Sequence, residues 1–201
     1  VFIDLAFLSS LPDRQFRSGL AEVVKCGVIR DRALFEFLER TSVAGLRRSM
    51  GHLAWVIARA VRVKVALVEK DERETKGIRT LLNFGHTVGH ALEAATGYSR
   101  AFAHGEAISM GMRVASDIAC RLRLFSPREA YRVDRVLSRF GLPETIRGVG
   151  LAPILRAMSH DKKWSRGKGR WVLPTRIGRS IVKQDIPSQI VRAAIQRRRE
   201  G

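Results

Sequence analysis

Leu81–Leu82–Asn83–Phe84–Gly85–His86–Thr87–Val88–Gly89–His90 is the stretch from which the chain is best read. Asn83–Phe84–Gly85 opens a helix expected to run to Gly97–Tyr98. His86 and His90 stand at i and i+4, so both rings lie on one helix face with nitrogens in reach of one small target. That is zinc-ligand spacing, but the Glu of HExxH is missing, which argues against a zinc protease. Such a pair, taken alone, equally fits two core or capping histidines. A third histidine shifts the balance. His104 stands in Ala103–His104–Gly105–Glu106, so three of the chain's five histidines fall between positions 86 and 104. A helix, a loop and a second helix start can fold these side chains onto one point. Catalytic zinc typically takes three protein ligands, often with a carboxylate among them, and keeps one position open.

Outward from this centre the pattern is mostly helical. Downstream, Gly105 to Leu124 is rich in small residues (Ala107, Ser109, Gly111, Ala115, Ala119), as suits a helix packed deep in a bundle. Pro127 starts another helix ending near Gly141–Leu142–Pro143. Arg170–Pro174 and Arg179–Val182 read as a small hairpin turning at Gly178, and Pro187 begins a final helix that runs into a basic tail. Upstream, Ser10–Leu11–Pro12–Asp13 reads as a helix start with Ser10 as N-cap. Leu20, Val23, Val24 and Val28 then recur at helical spacing until Asp31 breaks the run. Ala33–Arg40 is short and amphipathic, Ser49–Glu72 is long, and the charged stretch from Asp71 to Gly77 is a loop. The expected fold is therefore mainly α: a helical bundle with a small β-hairpin near the C-terminus. No Gly-rich phosphate loop follows a strand, and no nucleotide-binding fingerprint is present.

The carboxylate candidate is Glu22, in Gly19–Leu20–Ala21–Glu22–Val23–Val24–Lys25. Glu22 and Lys25 are one helical turn apart, which also describes an ordinary surface ion pair. An acid and an amine in a largely apolar segment nevertheless suit the edge of a site.

The 37 Lys and Arg against 19 Asp and Glu give a formal charge of +18, an excess that attracts anions. Nucleic acid is not the expected partner, because no aromatic residues interleave the basic ones and no binding motif accompanies them. A solvated basic surface is the plain alternative, with clusters such as Arg47–Arg48 and Arg197–Arg199 looking outward. No stretch approaches the roughly 18 apolar residues of a membrane span. Cys26 and Cys120 form no CxxC pair, which suggests a reducing, cytoplasmic setting and no zinc held by thiolate. Val1–Phe2–Ile3–Asp4–Leu5 reads like a strand or linker end in mid-protein.

Five motifs, in order and spacing, resemble 3-dehydroquinate synthase: Leu11–Pro12 with Ser18–Lys25, Asp71–Glu74, Leu81–His90, His104–Ala107, and the closing Asp161–Lys162–Lys163 with Val172–Leu173–Pro174 and Ile177–Gly178. The similarity covers nearly the whole chain, all of it that family's C-terminal domain. It implies that residues 1–201 form the helical metal- and substrate-binding domain and that the N-terminal NAD-binding domain is absent, so the chain alone is expected to be inactive.

The resemblance implies metal ligands at Glu22, His86 and His104, with zinc or cobalt as the ion. His90 would then face the substrate phosphate rather than the metal. Lys25, Glu74 and His90 are the implied catalytic groups, and Glu74 would handle protons. Lys64, Arg79, Asn83 and one lysine of Lys162–Lys163 are the implied substrate contacts. The implied reaction converts 3-deoxy-D-arabino-heptulosonate 7-phosphate to 3-dehydroquinate and phosphate, in the shikimate pathway of aromatic amino acid biosynthesis, by a lyase acting as a homodimer when full length. It comprises oxidation of one hydroxyl by NAD, phosphate elimination, re-reduction, ring opening and aldol closure. The substrate has two anionic ends, which explains the demand for cations, and Arg79 can grip oxygens in a fork.

Three rival readings share parts of this pattern. Iron- or zinc-dependent alcohol and glycerol dehydrogenases share the two-domain plan, but iron-type members pair an Asp with a His four residues on, and here position 26 is Cys. Related sugar-phosphate cyclases are closer, although several lack the second histidine of the string. A basic nucleic-acid-binding module is the non-enzymatic alternative. Two departures from the family stand out: Cys26 where an aromatic is common, and an extra residue expected in the loop from Glu74 to Arg79.

Overall fold

The computed structural model describes residues 2–99, 101–159 and 169–200. Its axis is α6 (His104–Arg121), in which every residue from Ala107 to Ala119 is buried. A helix shielded on all sides needs small side chains where neighbours cross. A Cβ on Gly111 would lie 1.8 Å from the carbonyl oxygen of Gly85, so this crossing closes only around hydrogen. Around α6 pack α1 (Asp13–Ile29), α5 (His86–Ala95), α7 (Pro127–Arg139), the C-terminal α9 (Ser188–Glu200) and the first strand of the hairpin.

Between α1 and α5 lie α2 (Arg32–Arg40), α3 (Val43–Arg48) and α4 (Met50–Lys70). Asp31 ends α1 and caps α2, its carboxylate accepting from the Leu34 N–H at 3.0 Å. Ser49 caps α4 through the His52 N–H at 3.2 Å, and Ser126 caps α7 through Glu129 at 3.2 Å. After α7 comes α8 (Leu151–Ser159), which packs on α5. The hairpin pairs β1 (Trp171–Arg176) with β2 (Arg179–Lys183), antiparallel, and Ile177–Gly178 make the turn. Pro174 is tolerated because a two-stranded sheet has only edge strands.

The expected bundle and hairpin are present, with three differences. Ser10 is not an N-cap: it closes a 3-10 turn over Leu5–Ser9, donating its hydroxyl to Phe7 O at 3.1 Å. Helix α1 starts only after Pro12, whose ring disfavours helical backbone at the preceding Leu11. Helices α3 and α8 were not foreseen.

The basic clusters are also less solvated than expected. Arg47 reaches Leu11 O at 2.9 Å and covers the Phe16 ring at 4.3 Å. Arg198 is 13% exposed and bridges Asp117 of α6 (2.8 Å) to Asp134 of α7 (3.0 Å). The buried Arg113 takes the other oxygen of Asp134 at 2.7 Å. Among the described residues no helix is long and apolar enough to cross a membrane.

Candidate metal centre

Glu22 projects from the middle of α1, His86 is the first residue of α5, and His104 is the first residue of α6. Two close approaches bring them together. Gly85 holds a left-handed backbone (φ 81°), which turns the chain sharply into α5 and aims His86 at α1. Gly105 lies against Ser18 of α1: its N–H donates to Ser18 Oγ at 2.8 Å, and a Cβ there would sit 1.9 Å from Ser18 O. His104 therefore starts α6 about one turn of α1 from Glu22. Glu106 latches the same corner, accepting from the Ala103 N–H at 2.8 Å and gripping Arg14 with both oxygens.

The result is a three-sided donor set. Glu22 Oε1 lies 3.7 Å from His86 Nε2 and 3.9 Å from His104 Nε2. One ligand atom from each of the three residues falls within 4.8 Å of the others, and among the described residues no other cluster of this kind occurs. The His90 ring is close, at 5.1 Å from His86 and 6.2 Å from His104 between centroids, but His90 does not belong to that cluster.

The donor chemistry suits a divalent cation. Glu22 Oε2 accepts from Lys25 Nζ at 2.5 Å, while Oε1 is buried without a hydrogen-bond partner among the described residues. An orphaned anionic oxygen facing two imidazole nitrogens is a costly arrangement unless a cation completes it. Burial pushes the Glu22 carboxyl up, but Lys25 and the two imidazoles outweigh burial and hold it below the ordinary carboxylate range. Burial, aided by the Lys25 charge, lowers His86 to about 4, so its ring is neutral and free to ligate. Its Nδ1 faces Phe84 O at 3.2 Å, which leaves Nε2 as the donor to a metal. His104 Nδ1 lies 3.0 Å from Glu93 Oε1. The Cys26 thiol is raised to about 11, chiefly by burial, and stays protonated.

Beside the triad opens a cavity of about 500 Å³. Glu22, Lys25, Lys64, Glu74, Arg79, Asn83 and His86 all line it, together with Cys26. Asp71 organises the loop that delivers Glu74 and Arg79. Its buried carboxylate accepts from the backbone N–H groups of Lys76 (2.9 Å), Ile78 (2.8 Å) and Arg79 (3.1 Å). Burial works to raise the Asp71 pKa, but these donors outweigh it and hold the group ionised. Glu74 adopts a left-handed backbone (φ 54°), and its side chain accepts from Thr80 at 3.4 Å. A smaller hollow joins Glu74, Asn83, His86 and His90 to Arg170. Lys162 and Lys163 lie outside the described residues.

Two residues near the site were missed in the sequence. Arg170 gave no signal beyond the strand pattern. Glu93 stands seven residues after His86, so His86, His90 and Glu93 form one helical stripe (i, i+4, i+7) that the histidine pair alone did not suggest.

The chain superposes on synthases solved with NAD+ and a divalent metal. With ValA, the 2-epi-5-epi-valiolone synthase of Streptomyces hygroscopicus with NAD+ and Zn2+ bound, the TM-score is 0.87 at 29% identity, covering 97% of this chain and 54% of the other. With 2-deoxy-scyllo-inosose synthase in complex with carbaglucose-6-phosphate, NAD+ and Co2+, the TM-score is 0.82 at 26% identity, covering 98% and 55%. The chain belongs to the 3-dehydroquinate synthase family, since residues 19–164 match its C-terminal domain. It is 41% identical to the 3-dehydroquinate synthase of Rippkaea orientalis over 97% of this chain and 54% of the relative, and 43% identical to that of Rhodopirellula baltica over 97% and 52%. The chain thus spans about half the length of the curated relatives it matches.

Proposed function

We propose that this chain is the metal- and substrate-binding half of a 3-dehydroquinate synthase, a phosphate-eliminating lyase using NAD and zinc or cobalt. The observation that carries the reading is the Glu22–His86–His104 triad opening onto a cavity edged by Lys25, Lys64 and Arg79. The identities of 41% and 43% to 3-dehydroquinate synthases favour this over the cyclases met at 29% and 26%. The NAD-binding domain lies outside residues 1–201, the full protein is a homodimer, and the fragment alone is inactive.

Glu22, His86 and His104 would hold the cation, which when bound would supply a Lewis acid to lower the pKa of a substrate hydroxyl. The other domain would hold most of the NAD, which would supply the hydride acceptor. The chain's own residues then do four things. Lys25 orients Glu22 by holding its second oxygen and presents a cation to the cavity. Lys64 and Arg79 neutralise the anionic ends of the heptulosonate phosphate, and Asn83 fixes its hydroxyls. His90 faces the phosphate. Glu74, on its latched loop, accepts and returns protons at the cavity rim. Holding one flexible substrate through successive steps is chiefly positioning.

The test is an assay of the chain joined to its NAD-binding half, with NAD, zinc and the heptulosonate phosphate. Release of phosphate with formation of 3-dehydroquinate is expected. Turnover only of a different sugar phosphate would transfer the chain to a related cyclase, and no turnover of any would contradict the enzyme reading.

A further inference from the structure

We infer that Glu93 is a positioning residue for the metal site: its carboxylate fixes His104 with Nδ1 protonated and Nε2 turned to Glu22. The inference rests on the metal reading proposed above and extends it by one residue.

The two imidazoles of the triad face different problems. His86 is 14% exposed and anchored by the Phe84 carbonyl within its own chain turn. His104 is 50% exposed and opens a helix, where a side chain facing water has rotamers and both tautomers open to it. Among the described residues no hydrogen bond to a backbone carbonyl holds its ring. Glu93 Oε1 does, at 3.0 Å from Nδ1, and Glu93 itself is only 16% exposed, so the acceptor is the better-ordered partner of the two. A carboxylate can only accept, so Nδ1 must carry the proton and the lone pair falls on Nε2. That nitrogen is the one 3.9 Å from Glu22 Oε1.

The placement follows from α5. His86 and Glu93 stand two helical turns apart on one stripe, so a single rigid element supplies one ligand directly and secures the other. Any change in the α5–α6 crossing would shift both together. The competing account is that Glu93 is a structural acid near the N-terminus of α6, which would affect stability alone.

The experiment measures Zn2+ affinity of the 201-residue chain by competition with a chromophoric chelator, for wild type, His104→Ala, Glu93→Ala and Glu93→Gln. Glu93→Ala should weaken binding about 10- to 100-fold. Glu93→Gln keeps an accepting oxygen without the charge and should fall between; it carries the test if the alanine variant does not fold. The ¹⁵N spectrum of His104 in metal-free protein should show Nδ1–H in wild type and lose that preference in Glu93→Ala, an outcome a purely structural acid would not produce. Wild-type affinity in both Glu93 variants, or an Nε2–H tautomer in wild type, overturns the inference. A wild type that binds no zinc defeats the metal reading itself, whereas zinc lost in His104→Ala but retained in both Glu93 variants defeats only the role of Glu93.

Discussion

Glu22 has a different neighbour on each oxygen, and the site depends on that division. Lys25 at 2.5 Å fixes Oε2, leaving Oε1 to face the imidazoles. With no metal bound, His86 pays for its burial in protonation: its pKa falls from 6.5 to about 4. Between those values the unfolded chain binds a proton that the folded chain does not. Stability of the metal-free protein should therefore rise with pH from about 4 to 6.5, by up to ~3 kcal/mol from this group. A side-chain NMR titration of metal-free protein should place His86 near the acid end; a midpoint at 6.5 would contradict its buried, neutral state. Glu22, His86 and His104 were legible in the sequence because their types and order match a known family. Glu93 and Arg170 were not, since a carboxylate two turns along a helix and an arginine before a strand look like ordinary surface until the fold brings them to the site.

At the scale of elements, the site depends on how closely α1 and α6 approach. Gly105→Ala would place a methyl 1.9 Å from Ser18 O, a backbone atom that cannot swing aside. The two helices must then separate, at a cost of roughly 1–3 kcal/mol, and His104 moves away from Glu22. Thermal unfolding and zinc competition on this variant should both show losses; wild-type zinc affinity would mean that the close approach does not position His104. The long helices were legible from apolar period and from Pro127 at a helix start; the capping roles of Ser49, Ser126 and Asp31 emerge only in the structure. Helix α3 was not, because six residues with Gly45 in the middle show too few turns for a period. In α8, Pro153 sits in the first turn and reads as a loop signal as readily as a helix start. Ser10 misled because the restriction Pro12 places on Leu11 outranks the serine's capping propensity.

Across the whole molecule, the C-terminal basic run ties the chain to its axis. Arg198 joins Asp117 and Asp134, residues 81 and 64 positions earlier in the chain. Charge count alone could not reveal this, because composition does not say which arginines find buried acids. Arg198→Ala would leave the buried Asp117 with only the more exposed Arg197, at 3.1 Å, among the described residues and should cost about 3 kcal/mol in denaturant unfolding; a change under 0.5 kcal/mol would return the tail to the solvated surface the sequence suggested. The fold serves to bring an acid from α1 and two imidazoles from α5 and α6 to one point. Anomalous diffraction at the zinc edge from crystals grown with zinc tests this most directly. One peak is predicted, within about 2.3 Å of Glu22 Oε1, His86 Nε2 and His104 Nε2; no peak there, or zinc held by other side chains, would contradict the account.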